Sequence, residues 1–362
     1  MHICHINLAS SYHGGENQTF ELIQQQIRNG YEVTALANPK GPLYARLLTI
    51  DCTVHPIRHH LLNHTHNFLN KCDLLHVHEG RAVYWALIQK AIFGTPYIIT
   101  RRIDNPISSK WITRQAYQQA SALVGLSKPI TQQLKKISKL QAVLRIPSSP
   151  VSYPVSEDNV KIIQQQFAGK FLVLQAANML KHKGFDTSIK AAKQLNSDYP
   201  NIHFCFIGDG SERHHLEQQA TNLKNITFVG KQSNMGDWFH AADLLVHPSH
   251  SEGLGSVILE GMKAGLPVVG SNAGGIPDII HHEHTGLLTT TGCGETLASN
   301  IIRLYNDPAL RGQLVNNAHR YLNEVSIESC AEKYEQVYLN AVDNACLVKG
   351  KQQKSLKGNI PN

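Results

Sequence analysis

Two glutamates, Glu252 and Glu260, stand eight residues apart in the string Ser251-Glu252-Gly253-Leu254-Gly255-Ser256-Val257-Ile258-Leu259-Glu260. The first sits in a glycine-rich loop and the second in a stretch of helical pattern. If residues 255 to 264 are helical, the free backbone N–H groups at Gly255 and Ser256 form an anion site suited to a phosphate, because the first turn of a helix lacks internal partners for its donors. At a rise of about 1.5 Å per helical residue, the carboxylates would stand up to roughly 12 Å apart. Paired hydrolytic carboxylates flank one bond at about 5 to 9.5 Å. The wider span fits two hydroxyl-bearing groups on either side of a diphosphate, with a sugar near Glu252 and a ribose near Glu260. That is the outline of a nucleotide sugar. The bland alternative is an acidic helix after an ordinary glycine turn.

Tyr12-His13-Gly14-Gly15-Glu16 joins the first strand to the first helix, and its glycine pair lets backbone amides approach a phosphate closely. His76 and His78 alternate on an apolar strand and read as structural. His59, His60, His64, His66, His281, His282 and His284 invite a metal reading, but no Cys or carboxylate joins them at a recognised ligand spacing, so they read as surface residues. Gly208-Asp209-Gly210 is a strand-to-helix turn rather than a dinucleotide fingerprint, because Arg213 stands where the third glycine belongs.

These residues need a scaffold of strand ends. Apolar runs at Ile3 to Leu8, Val33 to Ala37, Asp73 to Val77, Tyr97 to Thr100 and Ala122 to Leu126 read as strands. Amphipathic stretches lie between several of them, such as Glu16 to Arg28 and Arg81 to Phe93, each closed by glycine. Three prolines in Ile146 to Pro154 break the rhythm, and it restarts at Phe171 with strands at Ile202 to Ile207, Ile226 to Val229, Leu244 to His247 and Pro267 to Gly270. The fold class expected is α/β, with two Rossmann-like, doubly wound parallel sheets whose ligand binds at the carboxyl ends of the strands, facing across a cleft. The expected divisions are 1–152, 153–325, a C-terminal helix over 326–346, and a disordered basic tail over 347–362.

The E-x7-E element from Glu252 to Glu260, followed by Gly265-Leu266-Pro267-Val268-Val269 and Gly274-Gly275-Ile276-Pro277-Asp278, resembles glycosyltransferase family 4, and the resemblance covers nearly the whole chain. It implies the GT-B fold, a retaining transfer from a nucleoside diphosphate sugar, contacts of Glu252 with donor-sugar hydroxyls and of Glu260 with ribose, and no metal or other cofactor. It also implies that Gly14 and Gly15 line the donor site and that Val229 lies beside the nucleotide base. Asn178-Met179-Leu180-Lys181-His182-Lys183-Gly184 resembles the segment in which an Arg and a Lys clamp the diphosphate. Lys183 keeps the lysine position, but Asn178 stands where arginine is usual, and Asn supplies no bidentate charged fork. In Thr100-Arg101-Arg102-Ile103-Asp104, Arg102 stands where many relatives carry a histidine beside the reacting sugar. A permanently charged arginine is a poor proton shuttle. It can instead stabilise a departing phosphate or bind an anionic acceptor, and Arg102 and Glu252 are the catalytic candidates.

Composition narrows the rest. At 362 residues, 42% hydrophobic and 17% charged, with no apolar run of about 18 residues, the chain is expected to be a soluble two-domain protein. Its start lacks the pattern of a signal peptide, and seven cysteines with no CxxC pair suggest reduced thiols in the cytoplasm. Residues 1 to 155 hold 16 Lys/Arg against 7 Asp/Glu, whereas the remainder is nearly balanced. A basic lobe can attract an anionic membrane, an acidic acceptor or nucleic acid. With Lys135, Lys136 and Lys139 on a short amphipathic helix, the expected partners are a nucleotide-sugar donor, a glycan or glycolipid acceptor and the inner face of the cytoplasmic membrane, with no nucleic acid. Lipopolysaccharide or other cell-envelope glycan synthesis is the expected process. The rival readings are a non-hydrolysing sugar-nucleotide epimerase and a catalytically silent sugar-nucleotide binding module.

Overall fold

The computed structural model describes residues 1–59, 61, 64, 72–139 and 141–357, with 346–357 as backbone only. His60, His66, Leu140 and the tail beyond 357 lie outside the described residues. The chain divides into two units, one formed by Met1–Ser148 with Ile327–Asn362 and the other by Ser149–Ser326.

In the first unit β1 (His2–Asn7), β2 (Glu32–Ala37), β3 (Thr53–Pro56), β4 (Leu74–Val77), β5 (Tyr97–Arg101), β6 (Ala122–Gly125) and β7 (Ala142–Arg145) pair in the order β3-β2-β1-β4-β5-β6-β7. Every pairing is parallel. The central strands are the apolar runs read from the sequence, buried on both faces as a parallel sheet requires. The edge strands β3 and β7 were not expected. Thr-Val-His-Pro and Ala-Val-Leu-Arg are largely exposed and carry no apolar run to find them by, and Pro56 is tolerated because β3 is an edge.

The second unit repeats the plan with β8 (Phe171–Ala176), β9 (Ile202–Ile207), β10 (Ile226–Gly230), β11 (Leu244–His247), β12 (Val268–Ser271) and β13 (Leu287–Thr289), in the order β10-β9-β8-β11-β12-β13 and again all parallel. Its core packs Phe185, Phe204, Phe206, Val246, Val269, Leu297 and Ile301 around the sheet. Strand order reverses at β1/β4 in the first unit and at β8/β11 in the second. Crevices at such switch points, beyond the carboxyl ends of the strands, are where open α/β sheets bind ligands.

Two divisions differ from the sequence reading. The helix that begins at Ile327 is no separate element, for Cys330, Ala331, Tyr334, Val337, Tyr338 and Ala341 recur at helical spacing and pack against Ile3, Leu22, Leu74, Ile98 and Val124 of the first unit. Its backbone also stays helical through Lys357, past the expected end at 346, because Lys and Gln are good helix formers and extend a helix already nucleated by docking. Among the described residues, no helix is long and apolar enough to cross a membrane, and six cysteines, Cys346 being outside the side chains described, carry free thiols.

Candidate functional site

The loops after β8 and β11 flank the switch point of the second unit, and each delivers a charged side chain to the other. The β8 loop ends in a 3-10 turn, Lys181–Lys183, and Gly184. Gly184 adopts φ 71°, and a Cβ there would lie 1.9 Å from the Pro248 carbonyl oxygen, so only glycine permits the two loops to meet. His250 N donates to His182 O at 2.8 Å and fastens them. Lys183 Nζ consequently donates to Glu252 Oε2 at 2.6 Å, and His247 Nε2, at the end of β11, lies 3.0 Å from the same oxygen. Ser249 Oγ lies 3.1 Å from that imidazole nitrogen.

Burial pushes the Glu252 carboxyl up, but the hydrogen bond and charge of His247, with the charge of Lys183, outweigh it and bring the pKa down to about 2. Glu252 is therefore a committed anion and hydrogen-bond acceptor, not an acid. Glu260 is its opposite. Burial raises its pKa to about 7, countered only by the Tyr153 hydroxyl, which donates to Oε2 at 3.2 Å.

The helix carrying Glu260 runs Ser256–Lys263 behind Gly255, whose φ of 87° is left-handed. Gly255 and Ser256 thus sit at the expected helix start, ahead of the first-turn bond from Ile258 N to Gly255 O at 2.9 Å. Glu252 lies outside the helix, however, so the helical-rise span between the carboxylates does not apply. The glycine pair of the Gly-Gly-Ile-Pro-Asp motif also acquires a reason. A Cβ at Gly274 would stand 2.1 Å from the Glu252 carbonyl oxygen, and Gly275 N donates to that oxygen at 2.8 Å, so the motif fixes the Glu252 backbone from behind.

Two supporting residues escaped the sequence reading. Gln175 is fully buried in β8, its amide nitrogen donating to Lys183 O at 2.9 Å while its oxygen accepts from Ser188 Oγ at 2.6 Å, which holds the lysine turn. The lone glutamine in Phe-Leu-Val-Leu-Gln-Ala was its signal. His247 is 2% exposed and its Nδ1 is buried without a partner; it looked like one more strand residue. Asn178 is exposed in the β8 loop, apart from the Lys183 cluster's hydrogen bonds. Val229 is half-buried at the end of β10, where Gly230, at φ 83°, brings Arg213 Nη1 within 3.3 Å of a would-be Cβ.

In the first unit Gly14 and Gly15 open the helix Gly14–Arg28 as expected, and the His13 amide is taken by Glu16 Oε2 at 2.9 Å. Arg102 follows β5, its Cδ 3.2 Å from where a Gly15 Cβ would be, so the glycine makes room for the arginine. Arg102 Nη2 lies 3.3 Å from His78 Nδ1. The histidine cluster itself is larger than the sequence suggested. His5, His76 and His78 bring three potential ligand atoms within 4.8 Å of one another, all buried. Yet His5 pairs with His78 and Gln26, and His76 with Tyr338 and Thr100, leaving no ring nitrogen without a protein partner. His59, His281, His282 and His284 are exposed, as read; His64 instead stacks half-buried on Trp85.

Residues 157–321, inside the second unit, match the family model described as glycosyl transferases group 1. A lipopolysaccharide core biosynthesis glycosyltransferase, LpsD of Rhizobium meliloti, is 37% identical over 41% of this chain and 43% of its own length. An uncharacterized glycosyltransferase of Methanocaldococcus jannaschii is 26% identical over 74% of this chain and 75% of its own. The chain thus spans less than half of the LpsD length. Among solved structures, Anabaena HepE in complex with UDP superposes with a TM-score of 0.81 over 93% of this chain and 99% of its own, at 20% identity. The chain has an α/β fold of two Rossmann-like parallel sheets, shared with solved glycosyltransferase structures of the GT-B type, and its second unit is similar to glycosyl transferases group 1.

Proposed function

We propose that the chain transfers a sugar from a nucleoside diphosphate sugar to an acceptor hydroxyl with retention of anomeric configuration, in the synthesis of lipopolysaccharide or another cell-envelope glycan. The observation that carries the reading is the Lys183–Glu252–His247 cluster, set at the switch point of the second unit beside the start of the helix Ser256–Lys263. In this reading Lys183 and the amides of Gly255 and Ser256 neutralise the diphosphate as it leaves. Glu252, anionic and oriented, accepts from donor-sugar hydroxyls, Glu260 from the ribose, and Val229 borders the base. Gly14, Gly15 and Arg102 of the first unit serve an anion there.

A Glu252 tied to a lysine and a histidine is ill-suited to form a covalent adduct, which favours same-face substitution assisted by the leaving phosphate. Trapping a glycosyl adduct on Glu252 would overturn that step. Neither a metal nor another cofactor enters the scheme, and the expected setting is cytoplasmic. HepE has been solved with UDP and with UDP-glucose, which makes uridine diphosphate sugars the first donors to test. A thermal-shift screen of nucleotide sugars is expected to show one that raises the midpoint, by about 2.7 kcal/mol of stability at a hundredfold excess over its Kd. If none shifts it, the donor site is misread. Conversion of the donor with no acceptor present would favour the epimerase, and binding without turnover the silent module.

Peripheral binding to an anionic membrane has its own observation. Ile103, Trp111 and Ile112 are 56%, 71% and 43% exposed. The same stretch, through Ser108 and Arg114, shares a surface cavity of about 520 Å³ with Lys136. Apolar side chains beside cations suit a headgroup region. Charge reversal at Lys135, Lys136 and Lys139 is expected to abolish cosedimentation with phosphatidylglycerol vesicles, and unchanged cosedimentation would remove this surface from the proposal.

A further inference from the structure

The histidine cluster of the first unit has a direction. An arginine side chain carries N–H donors and no acceptor, so at the Arg102 Nη2–His78 Nδ1 contact of 3.3 Å the imidazole must accept. His78 then bears its proton on Nε2 and donates to His5 Nδ1 at 2.9 Å. His5, with Nδ1 accepting, donates from Nε2 to Gln26 Oε1 at 2.6 Å. The Gln26 amide donates to the Tyr338 hydroxyl at 2.8 Å. That hydroxyl lies 2.8 Å from His76 Nδ1, and Thr100 Oγ1 lies 2.7 Å from His76 Nε2. Thr100 meets Tyr334 at 3.0 Å and closes the run. Arg102 sets the sense through His78 and His5 as far as Gln26, and the hydroxyls of Tyr338 and Thr100, each able to donate or accept, end its reach before His76.

Strand register builds this chain. His5 and His76 are cross-strand partners on β1 and β4, Thr100 lies on β5 beside them, and the helix from Ile327 lowers Tyr334 and Tyr338 onto the same spot. His76 and His78 are 0% and 3% exposed, His5 is 1% exposed, and their ring centroids lie 3.9 to 5.2 Å apart, with His5 and His78 stacked and the other two pairs tilted. The charged and titratable groups facing them are Arg102, Tyr334 and Tyr338, with Glu16 and Cys330 acting on Arg102. Among the described residues no carboxylate pairs with Arg102, and its Nε is buried without a partner.

We propose that this run is a tautomer lock in which His78, His5 and His76 act as positioning residues for Arg102, and in which Arg102 in turn keeps the three imidazoles neutral and closed to metal ions. A second proton on His78 or His5 would set two donors face to face. A metal on His78 Nε2 would need the proton on Nδ1, where Arg102 already donates, and a metal on Nδ1 would displace Arg102. The value of a fixed Arg102 rests on the proposed function, where its remaining donors serve an anion; the lock itself does not.

The test uses the ligand-free full chain with 15N-labelled histidines, read by long-range proton–nitrogen correlation. The wild type is expected to show all three rings neutral, with His78 and His5 protonated on Nε2, unchanged from pH 8 to pH 5.5 and on addition of one equivalent of zinc chloride. Arg102→Met is expected to exchange the protonated-type and bare-type nitrogen signals of His78 and to shift those of His5, a response that a merely packed cluster would not give. A proton on Nδ1 of His78, a doubly protonated ring, a zinc-dependent shift in the wild type, or an unmoved spectrum in Arg102→Met would each overturn the proposal. The wild-type measurements stand even if the variant does not fold. Because no substrate is present, failure of the donor screen leaves these spectra as expected, and failure here leaves the donor site untouched.

Discussion

Lys183→Met is expected to weaken binding of the donor identified by thermal shift about 100-fold and to cost about 3 kcal/mol of stability in the second unit. The lysine has two tasks. Toward ligand it is the one ammonium that the β8 loop brings to the Glu252 carboxylate, and losing a positioned charge of this kind costs roughly 10² to 10³ in transition-state stabilisation. Toward the fold it is the partner of a carboxylate that is 15% exposed, at 2.6 Å. A buried charge left with no partner costs about 3 to 5 kcal/mol; His247 still holds Glu252 at 3.0 Å and both side chains of the pair are partly exposed, which argues for the low end.

The two tasks separate in the double variant Lys183→Met/Glu252→Gln. Removing the carboxylate's charge removes the unpaired anion, so stability is expected to recover by more than half while donor binding stays lost. Urea denaturation and isothermal calorimetry read the two quantities independently. Donor binding within twofold of wild type in Lys183→Met would sink the assignment of Lys183, and a double variant no more stable than the single would show that Glu252 is not a strained anion once its partner is gone.

The sequence made the donor-side residues legible but not their company. Glu252, Glu260, Gly255 and Lys183 could be named because each belongs to a local string whose glycines imply turns and whose apolar periodicity implies the flanking elements. The ion pair between Lys183 and Glu252 joins residues far apart in the chain, through a loop contact that depends on a glycine at 184 having no Cβ. No local pattern encodes that.

The same limit hid the histidine chain. His76 and His78 were seen as alternate residues on a strand, but His5, Gln26, Tyr334 and Tyr338 join them from β1, the first helix and the last helix, a set only the parallel register assembles. The strands that escaped, β3, β7 and β13, are edges and short, so tertiary pairing defines them more than hydrophobic period does. Glu252 stands in a loop ahead of a helix that begins at Ser256, as its glycine neighbours imply, so only the helical part of the path to Glu260 is counted in helical rises.

Lowering the pH from 7 to 5 is expected to destabilise the first unit while stabilising the second. In the first unit the folded-state pKa of His5 is lowered to about 4 by burial, and burial with neighbouring charges holds His76 and His78 well below 6.5. Their unfolded values lie near 6.5, so below that pH the unfolded chain takes up protons the folded unit refuses, and stability falls as pH drops toward 4. At pH 5 the loss from His5 alone is about 2 kcal/mol, and His76 and His78 act in the same direction. Glu79, raised by burial, opposes this as a single carboxyl against three rings.

In the second unit the sign reverses, because burial raises Glu260 to about 7 from 4.5. Between those values the folded unit binds the proton that the unfolded chain does not, so falling pH adds stability. The Glu252 contribution, with a folded pKa of about 2, is lost only below pH 4.5 and stays outside this window. Hydrogen exchange followed in peptides from β1 and β4 against peptides from β8 and β11 separates the units. Opposite changes in protection between pH 7 and 5, after correction for intrinsic exchange rates, are expected. A loss in both units would mean that the Glu260 carboxyl is already ionised and solvated in the fold, and no loss in the first would mean that its histidines are free to take protons.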